Sequence, residues 1–393
     1  MMLKRRAALL GLASAVTLGR ASLALAAAAT QQRFVVVMLR GALDGMAAVA
    51  PYGDPRLRAL RGPLVPPEPG REAGLLDLGG FYGLHPAMPQ LHAMFAAGEA
   101  IPVHAVAGPY RSRSHFAAQD LMETGAGERM TSGWLNRVAG LLPAAISGQN
   151  ALAIGAAPPL LLRGPTQVGT WAPPALPQPG VDFYSRLMAM HANDAVTRPA
   201  LETGLSELGF SVHALGVTPP GSPPHGGLPT LARTAGRLLA TPDGPRLAAL
   251  ETADGWDTHI AQAPRLVRAL ATLDESLGEL KIGLGDAWSK TTVLVMTEFG
   301  RTVAVNGTNG TDHGTGTVAF ILGGGIAGGQ VRGTWPGLGD GQLLEKRDLQ
   351  PTTDLRGLAK GLLVAQFGLN AAALETVFPG GSAVSAMDSL RRA

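Results

Sequence analysis

The sequence predicts an α/β protein built around a mostly parallel sheet flanked by helices. Short unbroken apolar runs, rich in β-branched residues, stand at 33–40, 101–106, 247–251, 292–296 and 317–322, the pattern of strands buried on both faces. Segments with helical spacing alternate with them, as in wound α/β sheets. Potential ligands and nucleophiles fall in the loops after these runs, where an open sheet brings distant residues to one edge.

Composition supports the reading and narrows the function. The chain has 393 residues, 46% of them hydrophobic and only 16% charged, enough for a large core and unlike a disordered chain. There is no cysteine, which excludes disulfides, Cys-ligated zinc and thiol catalysis. The formal charge of +3 sits partly in the first six residues. No long basic run follows and aromatics are few, which argues against nucleic acid as a partner.

Taken in order, MMLKRR is basic, AALLGLASAVTLG is apolar and ALAAAA supplies small residues. That reads as an export signal over 1–26, and the adjacent Arg5 and Arg6 point to the twin-arginine export machinery. The expected mature chain starts near Ala27 and forms a single α/β domain over 27–393, in the periplasm or outside the cell. No later stretch is long and apolar enough for a permanent membrane span. The run at 33–40 leads into a loop holding Asp44, and 51–74 reads as a surface excursion. A helix over 85–98 and a strand at 101–106 complete a β-loop-α-β unit. Ser114 stands at the N-cap position before a helix over 117–125, and 134–142 is another helix. The middle of the chain loses this rhythm. Gly, Pro and short apolar runs fill 151–175, 181–208 has helical spacing and 218–229 is a Pro/Gly linker, so about 151–240 is expected to be an insertion or lid. A strand at 247–251, a long amphipathic helix over 265–284, the strand-loop-strand of 291–325 and a closing helix over 356–367 follow.

Five segments place chemistry-bearing residues after predicted strands: Asp44, Ser114 with His115, Asp257 with His259, Glu298, and Asp312 with His313. Mixed Asp, Glu and His donors favour a transition metal, zinc first, with manganese, iron or calcium as alternatives. Each residue also has a plainer reading. Asp44 in a Leu-Asp-Gly turn could satisfy its own backbone, and Ser114 could be a helix cap. Glu298 could pair with Arg301, and Asp312 could orient His313 from outside the first shell. Arg111, Arg113 and Arg301 are available to meet an anion. His85, His92, His104, His191, His213 and His225 lack comparable context and read as packing or surface residues.

The motifs RGALDG, RSHF, GWLNR, GWDTH, TEFGRT and GTDHG resemble those of a bacterial family of twin-arginine-exported proteins, the domain-of-unknown-function family numbered 1501. The resemblance spans nearly the whole mature chain. More distantly, the motif order is similar to the alkaline phosphatase and sulfatase superfamily, and it implies an alkaline-phosphatase-like core. Matched in that order, Asp44 corresponds to the first carboxylate and Ser114 to the nucleophile. Asp257, His259 and His313 correspond to one metal's ligands, and Glu298 to a carboxylate of a second site. Phe299 stands where that superfamily often has a histidine, which leaves the second site short of a ligand.

Two functions follow as expectations. The first is an exported, metal-dependent hydrolase of phosphate or sulfate esters acting on an anionic small molecule or polymer. Ser114, His115 and Arg301 would be catalytic, and Asp44, Asp257, His259, Glu298, Asp312 and His313 would be metal-associated. The alternative is a non-catalytic periplasmic protein that binds a metal, an anion or a polysaccharide on the same fold.

Overall fold

The computed structural model describes residues 31–143, 149–155, 157–173, 181–194, 197–215, 227–253 and 255–392. The expected signal over 1–26, most of the 218–229 linker and His225 lie outside the described residues, as does the side chain of His213. No helix among the described residues is long and apolar enough to cross a membrane.

The strands of the main sheet are β1 (Arg33–Leu39), β2 (Ala100–Ala107), β3 (Ala151–Ile154), β4 (Gly169–Trp171), β5 (Leu247–Thr252), β6 (Thr291–Thr297), β7 (Thr317–Leu322) and β8 (Thr353–Asp354). They lie in the order β8-β2-β7-β6-β1-β5-β3-β4. All neighbours pair in parallel except at β7, which is antiparallel to both β6 and β2. The exception has a simple cause. β7 returns directly from β6 through a loop, with no helix to carry the chain back to the start of the sheet.

The helices are α1 (Gly45–Ala48), α2 (Leu57–Arg61), α3 (Pro89–Ala96), α4 (His115–Thr124), α5 (Trp134–Leu141), α6 (Val181–Met190), α7 (Thr197–Leu215), α8 (Leu228–Ala240), α9 (Gln262–Leu284), α10 (Leu355–Phe367) and α11 (Ala371–Val377). β1 shows why its apolar run is unbroken. Val35, Val37 and Leu39 enter a core with Leu238 of α8 and Leu270, Leu273 and Leu277 of α9. Phe34, Val36 and Met38 enter a second core with Trp134 and Leu135 of α5 and Leu358 and Leu362 of α10. Alternate side chains thus fill both faces. Each fully buried large side chain contributes about 1.5–3 kcal/mol.

The sheet extends further than the sequence pattern indicates. β3 and β4 are sheet strands within the segment read as an insertion, β3 pairing with β5 over Ala151–Ile154. Their few residues are too short for a periodicity to register. The helical stretch over 181–208 is two helices, α6 and α7, and α9 begins at Gln262, ahead of the expected 265.

His104 illustrates how a buried polar group is held in this core. It is 1% exposed, its Nε2 lies 3.0 Å from the Val49 carbonyl, and its Nδ1 accepts the Ala105 N–H at 2.9 Å. Ala105 adopts φ +53° beside an irregularity in the β2–β7 register. Burial holds the imidazole down at about 4, against an ordinary value of 6.5. The unfolded chain therefore binds the extra proton first. This contribution to stability is complete above pH 6.5 and is lost as the pH falls toward 4, to a limit of roughly 3 kcal/mol. The melting temperature of the wild type should fall more steeply across that window than that of His104→Gln. Parallel curves would show that His104 is not the titrating group.

Candidate metal centre

The parallel strands end at one edge, and four loops meet there. The loop after β1 carries Asp44, the start of α4 carries His115, the loop after β5 carries Asp257 and His259, and the β6–β7 loop carries Glu298, Arg301, Asp312 and His313. Gly41 lets the first and third of these approach. Its φ is +124°, and a Cβ there would lie 3.1 Å from both the Asp257 nitrogen and the Trp256 Cβ. Its backbone N–H donates to Glu298 Oε1 at 2.8 Å.

His313 Nε2 stands beside the Nε2 atoms of two other imidazoles. His313 Nε2 lies 3.0 Å from His115 Nε2 and 3.0 Å from His259 Nε2. Asp257 Oδ1 lies 3.2 Å from His313 Nε2 and 3.0 Å from His259 Nε2. Ligand atoms of His115, Asp257 and His313 all fall within 4.8 Å of one another. Each ring is held by its other nitrogen. His115 Nδ1 donates to Glu298 Oε1 at 2.7 Å, His259 Nδ1 to Asp312 Oδ1 at 3.0 Å, and His313 Nδ1 to the Arg113 carbonyl at 3.0 Å. A carbonyl and two carboxylates can only accept, so a neutral ring that satisfies its outer partner carries its proton on Nδ1 and turns a lone pair inward, toward the neighbouring Nε2 atoms and the Asp257 carboxylate. Facing lone pairs at 3 Å repel unless a proton or a cation lies between them. Outward Nδ1 bonds to carboxylates and carbonyls are the usual support of metal-ligating histidines, so the donor set fits a transition metal.

The carboxylates are kept charged. Burial opposes ionisation of Glu298, but hydrogen bonds from His115, Gln119 and Gly41 outweigh it and hold its carboxyl below the usual range. Burial likewise opposes ionisation of Asp257, and the Arg301 guanidinium, 2.6 Å from Oδ1, overrides it. The His259 and Asn306 hydrogen bonds lower Asp312. Glu298 pulls His115 upward, whereas burial and the neighbouring His115 push His313 down.

The sequence-derived residues thus divide. His115, Asp257, His259 and His313 form the cluster, with Glu298 and Asp312 behind it. Asp312 orients a histidine, as the plainer reading had it, but the histidine is His259. Glu298 faces His115 and does not pair with Arg301. Its Oε2 lies 2.9 Å from the Thr297 hydroxyl, which also reaches the Leu39 carbonyl at 2.7 Å. Asp44 does not join the cluster's contacts. It is 1% exposed, caps α1 through Ala47 N at 3.2 Å, and its other oxygen accepts from Arg61 and Gln262. Gln262 continues to Thr311 at 2.6 Å, and Thr311 accepts from Arg301 Nε at 3.2 Å. Asp44 therefore supports the site through a chain of hydrogen bonds. Ser114 occupies the N-cap of α4 but makes no capping hydrogen bond and is exposed. The expected anion-binding arginines are committed elsewhere. Arg301 holds Asp257 and Thr311, Arg113 holds Asp348 and Glu345, and Arg111 donates to backbone carbonyls. Sequence reasoning missed Arg61, Gln119, Gln262 and Asp348. Of these, Gln119 had a signal, because it follows His115 by one helical turn and shares its face.

Residues 222–378 match the family described as "Protein of unknown function (DUF1501)". The match takes in Asp257, His259, Glu298, Arg301, Asp312 and His313, whereas the RGALDG, RSHF and GWLNR motifs of the same expected family precede it. No curated protein matches the chain. Solved structures similar to it include the phosphonate monoester hydrolase of Agrobacterium radiobacter, at 12% identity over 86% of this chain and 74% of that one, with TM-score 0.36. The lipoteichoic acid synthase LtaP from Listeria monocytogenes gives 10% identity over 87% and 73%, with TM-score 0.36. The C-terminal periplasmic domain of EcEptC from Escherichia coli, in complex with Zn, gives 10% over 75% and 73%, with TM-score 0.34. Likeness at this level carries no chemistry from those proteins to this one.

The placement of Asp44 is directly testable. Asp44→Asn leaves Arg61 buried without its countercharge, and breaking such a pair costs roughly 3–5 kcal/mol. Chemical denaturation should show a loss of that order, with metal content of the folded protein unchanged. Lost metal uptake at wild-type stability would instead make Asp44 a ligand.

Proposed function

We propose that the protein is an exported, metal-dependent hydrolase of phosphate or sulfate esters working with a single ion. The observation that carries this reading is the meeting of ligand atoms of His115, Asp257 and His313 within 4.8 Å of one another, with His259 Nε2 3.0 Å from His313 Nε2 and Asp257 Oδ1 and every Nδ1 held from outside. His115, His259, His313 and Asp257 would hold the ion. Nitrogen donors favour zinc, then manganese or iron, over calcium. Such an ion supplies Lewis acidity, polarising an ester oxygen and making a bound water more acidic.

The chain's own groups prepare for this. Glu298, Asp312 and the Arg113 carbonyl fix the proton of each ring on Nδ1 and keep its Nε2 free. Arg301 keeps Asp257 ionised. Asp257 is 46% and His259 39% exposed in their side chains, so an ester can approach from their side. Because Arg111, Arg113 and Arg301 are engaged, the charge of a bound phosphate or sulfate would fall mainly on the ion. The exposed Ser114 hydroxyl, one residue before His115, or a water would attack. Export rests on the basic and apolar N-terminal segment and on the twin-arginine pair.

One observation favours the alternative of metal or anion binding without turnover: Ser114 makes no hydrogen bond to a base. A single set of measurements separates the readings. Wild-type protein, purified without chelator and remetallated, should hold one ion per chain. Its turnover of aryl phosphates, phosphodiesters and aryl sulfates should fall with metal content in His313→Ala and Asp257→Asn, each by at least about tenfold in affinity. Stoichiometric metal without turnover of any ester supports the binding protein, and no stoichiometric metal sinks both metal readings.

A further inference from the structure

His313 is the central ring of the cluster, and its support differs from that of its neighbours. His115 and His259 are oriented by side-chain carboxylates, but His313 Nδ1 donates to the backbone carbonyl of Arg113. A backbone carbonyl is only as well placed as the chain that carries it. Arg113 has φ +59°, a left-handed conformation that is unfavourable for a residue with a Cβ and persists only when the surroundings enforce it.

The enforcement comes from a small hairpin. Leu343–Leu344 pairs antiparallel with Asp348–Leu349, and Glu345 and Lys346 between them both have φ +54°. Arg113 Nε donates to Asp348 Oδ2 at 2.8 Å and its Nη2 to Glu345 Oε2 at 2.6 Å. Asp348 is fully buried and also accepts the Thr315 hydroxyl at 2.8 Å, two residues from His313. Arg347 completes the grip. Its Nη2 donates to the His313 carbonyl at 2.8 Å, and its Nη1 lies 3.6 Å from Asp348 Oδ1. The hairpin therefore holds His313 twice, at its own backbone through Arg347 and at its ring through Arg113. Left-handed non-glycine residues on both sides of this contact point to a built device.

We propose that the hairpin at 343–349 is a clasp, with Arg113 and Asp348 as positioning residues that fix the tautomer and ring plane of His313. The inference deepens the metal-centre reading and rests on it for its purpose, but the positioning itself is measurable without metal. Arg113 then has a different role from the anion-binding one its sequence context suggests.

The experiment combines two readouts. In apo protein with nitrogen-labelled histidine, NMR should show a protected Nδ1–H on His313, assigned by its loss in His313→Ala. Asp348→Asn should remove that protection. In the same variant, zinc and cobalt(II) should bind roughly 10–100-fold more weakly, with a changed cobalt visible spectrum. In the His313→Ala background, Asp348→Asn should change metal affinity by no more than about twofold, because its effect passes through His313. Arg113→Gly, which accommodates the positive φ but drops both side-chain anchors, serves if Asp348→Asn does not fold. An unchanged Nδ1–H signal and affinity in the folded variant, or an equal loss of affinity with and without His313, overturns the clasp. A wild type that takes up no metal, with the Nδ1–H signal still lost in Asp348→Asn, sinks the metal reading and keeps the positioning assignment.

Discussion

The arrangement at the sheet edge depends on the outward hydrogen bond at each imidazole Nδ1. Without it each ring could rotate or change tautomer, and the Nε2 atoms of His115 and His259 would not be held against that of His313. With it each ring plane is fixed and each Nε2 is turned inward. The acceptors come from different places in the chain. Glu298 directly follows β6, Asp312 lies further along the same loop, and the Arg113 carbonyl precedes α4. Parallel strands bring these positions together because their carboxyl ends share one edge.

Buried charge is the second constraint. Asp44, Glu298 and Asp348 are each 3% exposed or less, and each would be costly alone. Asp44 meets Arg61, Glu298 meets His115 and three further donors, and Asp348 meets Arg113 and Thr315. Buried pairs of this kind add little net stability compared with apolar packing, but losing one partner is expensive. They make the edge intolerant of change and hold it in one geometry. The rigidity of the site therefore lies in groups behind the cluster.

The longer strands and the loops that carry the site were legible because both are local signals. An unbroken run such as Phe34–Leu39 indicates burial on two faces, and a polar residue just beyond it lies at the edge. The division of labour among the polar residues was not legible. Whether Glu298 faces an ion or His115 depends on a ring 183 positions away in sequence. Asp44 is claimed by Arg61, which the sequence places in a surface excursion but which is 1% exposed. Asp348 sits in a two-residue strand that leaves no periodic trace. β3 and β4 were missed for the same reason. Short elements are defined by their partners, and partners are a property of the fold.

Phe299 connects these levels. Its position after Glu298 suggested from sequence that a second metal site would lack a ligand, and in the structure it is a packing residue. The ring is 3% exposed, its centroid lies 4.9 Å from that of His115 and 5.1 Å from that of His313, and it packs with Ala42, Ala118 and Tyr110. It forms an apolar wall beside His115 and His313. The side chains of His115 and His313 are 22% and 25% exposed, against 39% for His259 and 46% for Asp257. The wall thus shields one side of the cluster while the other meets solvent, so a molecule reaching the cluster meets Asp257 and His259 first.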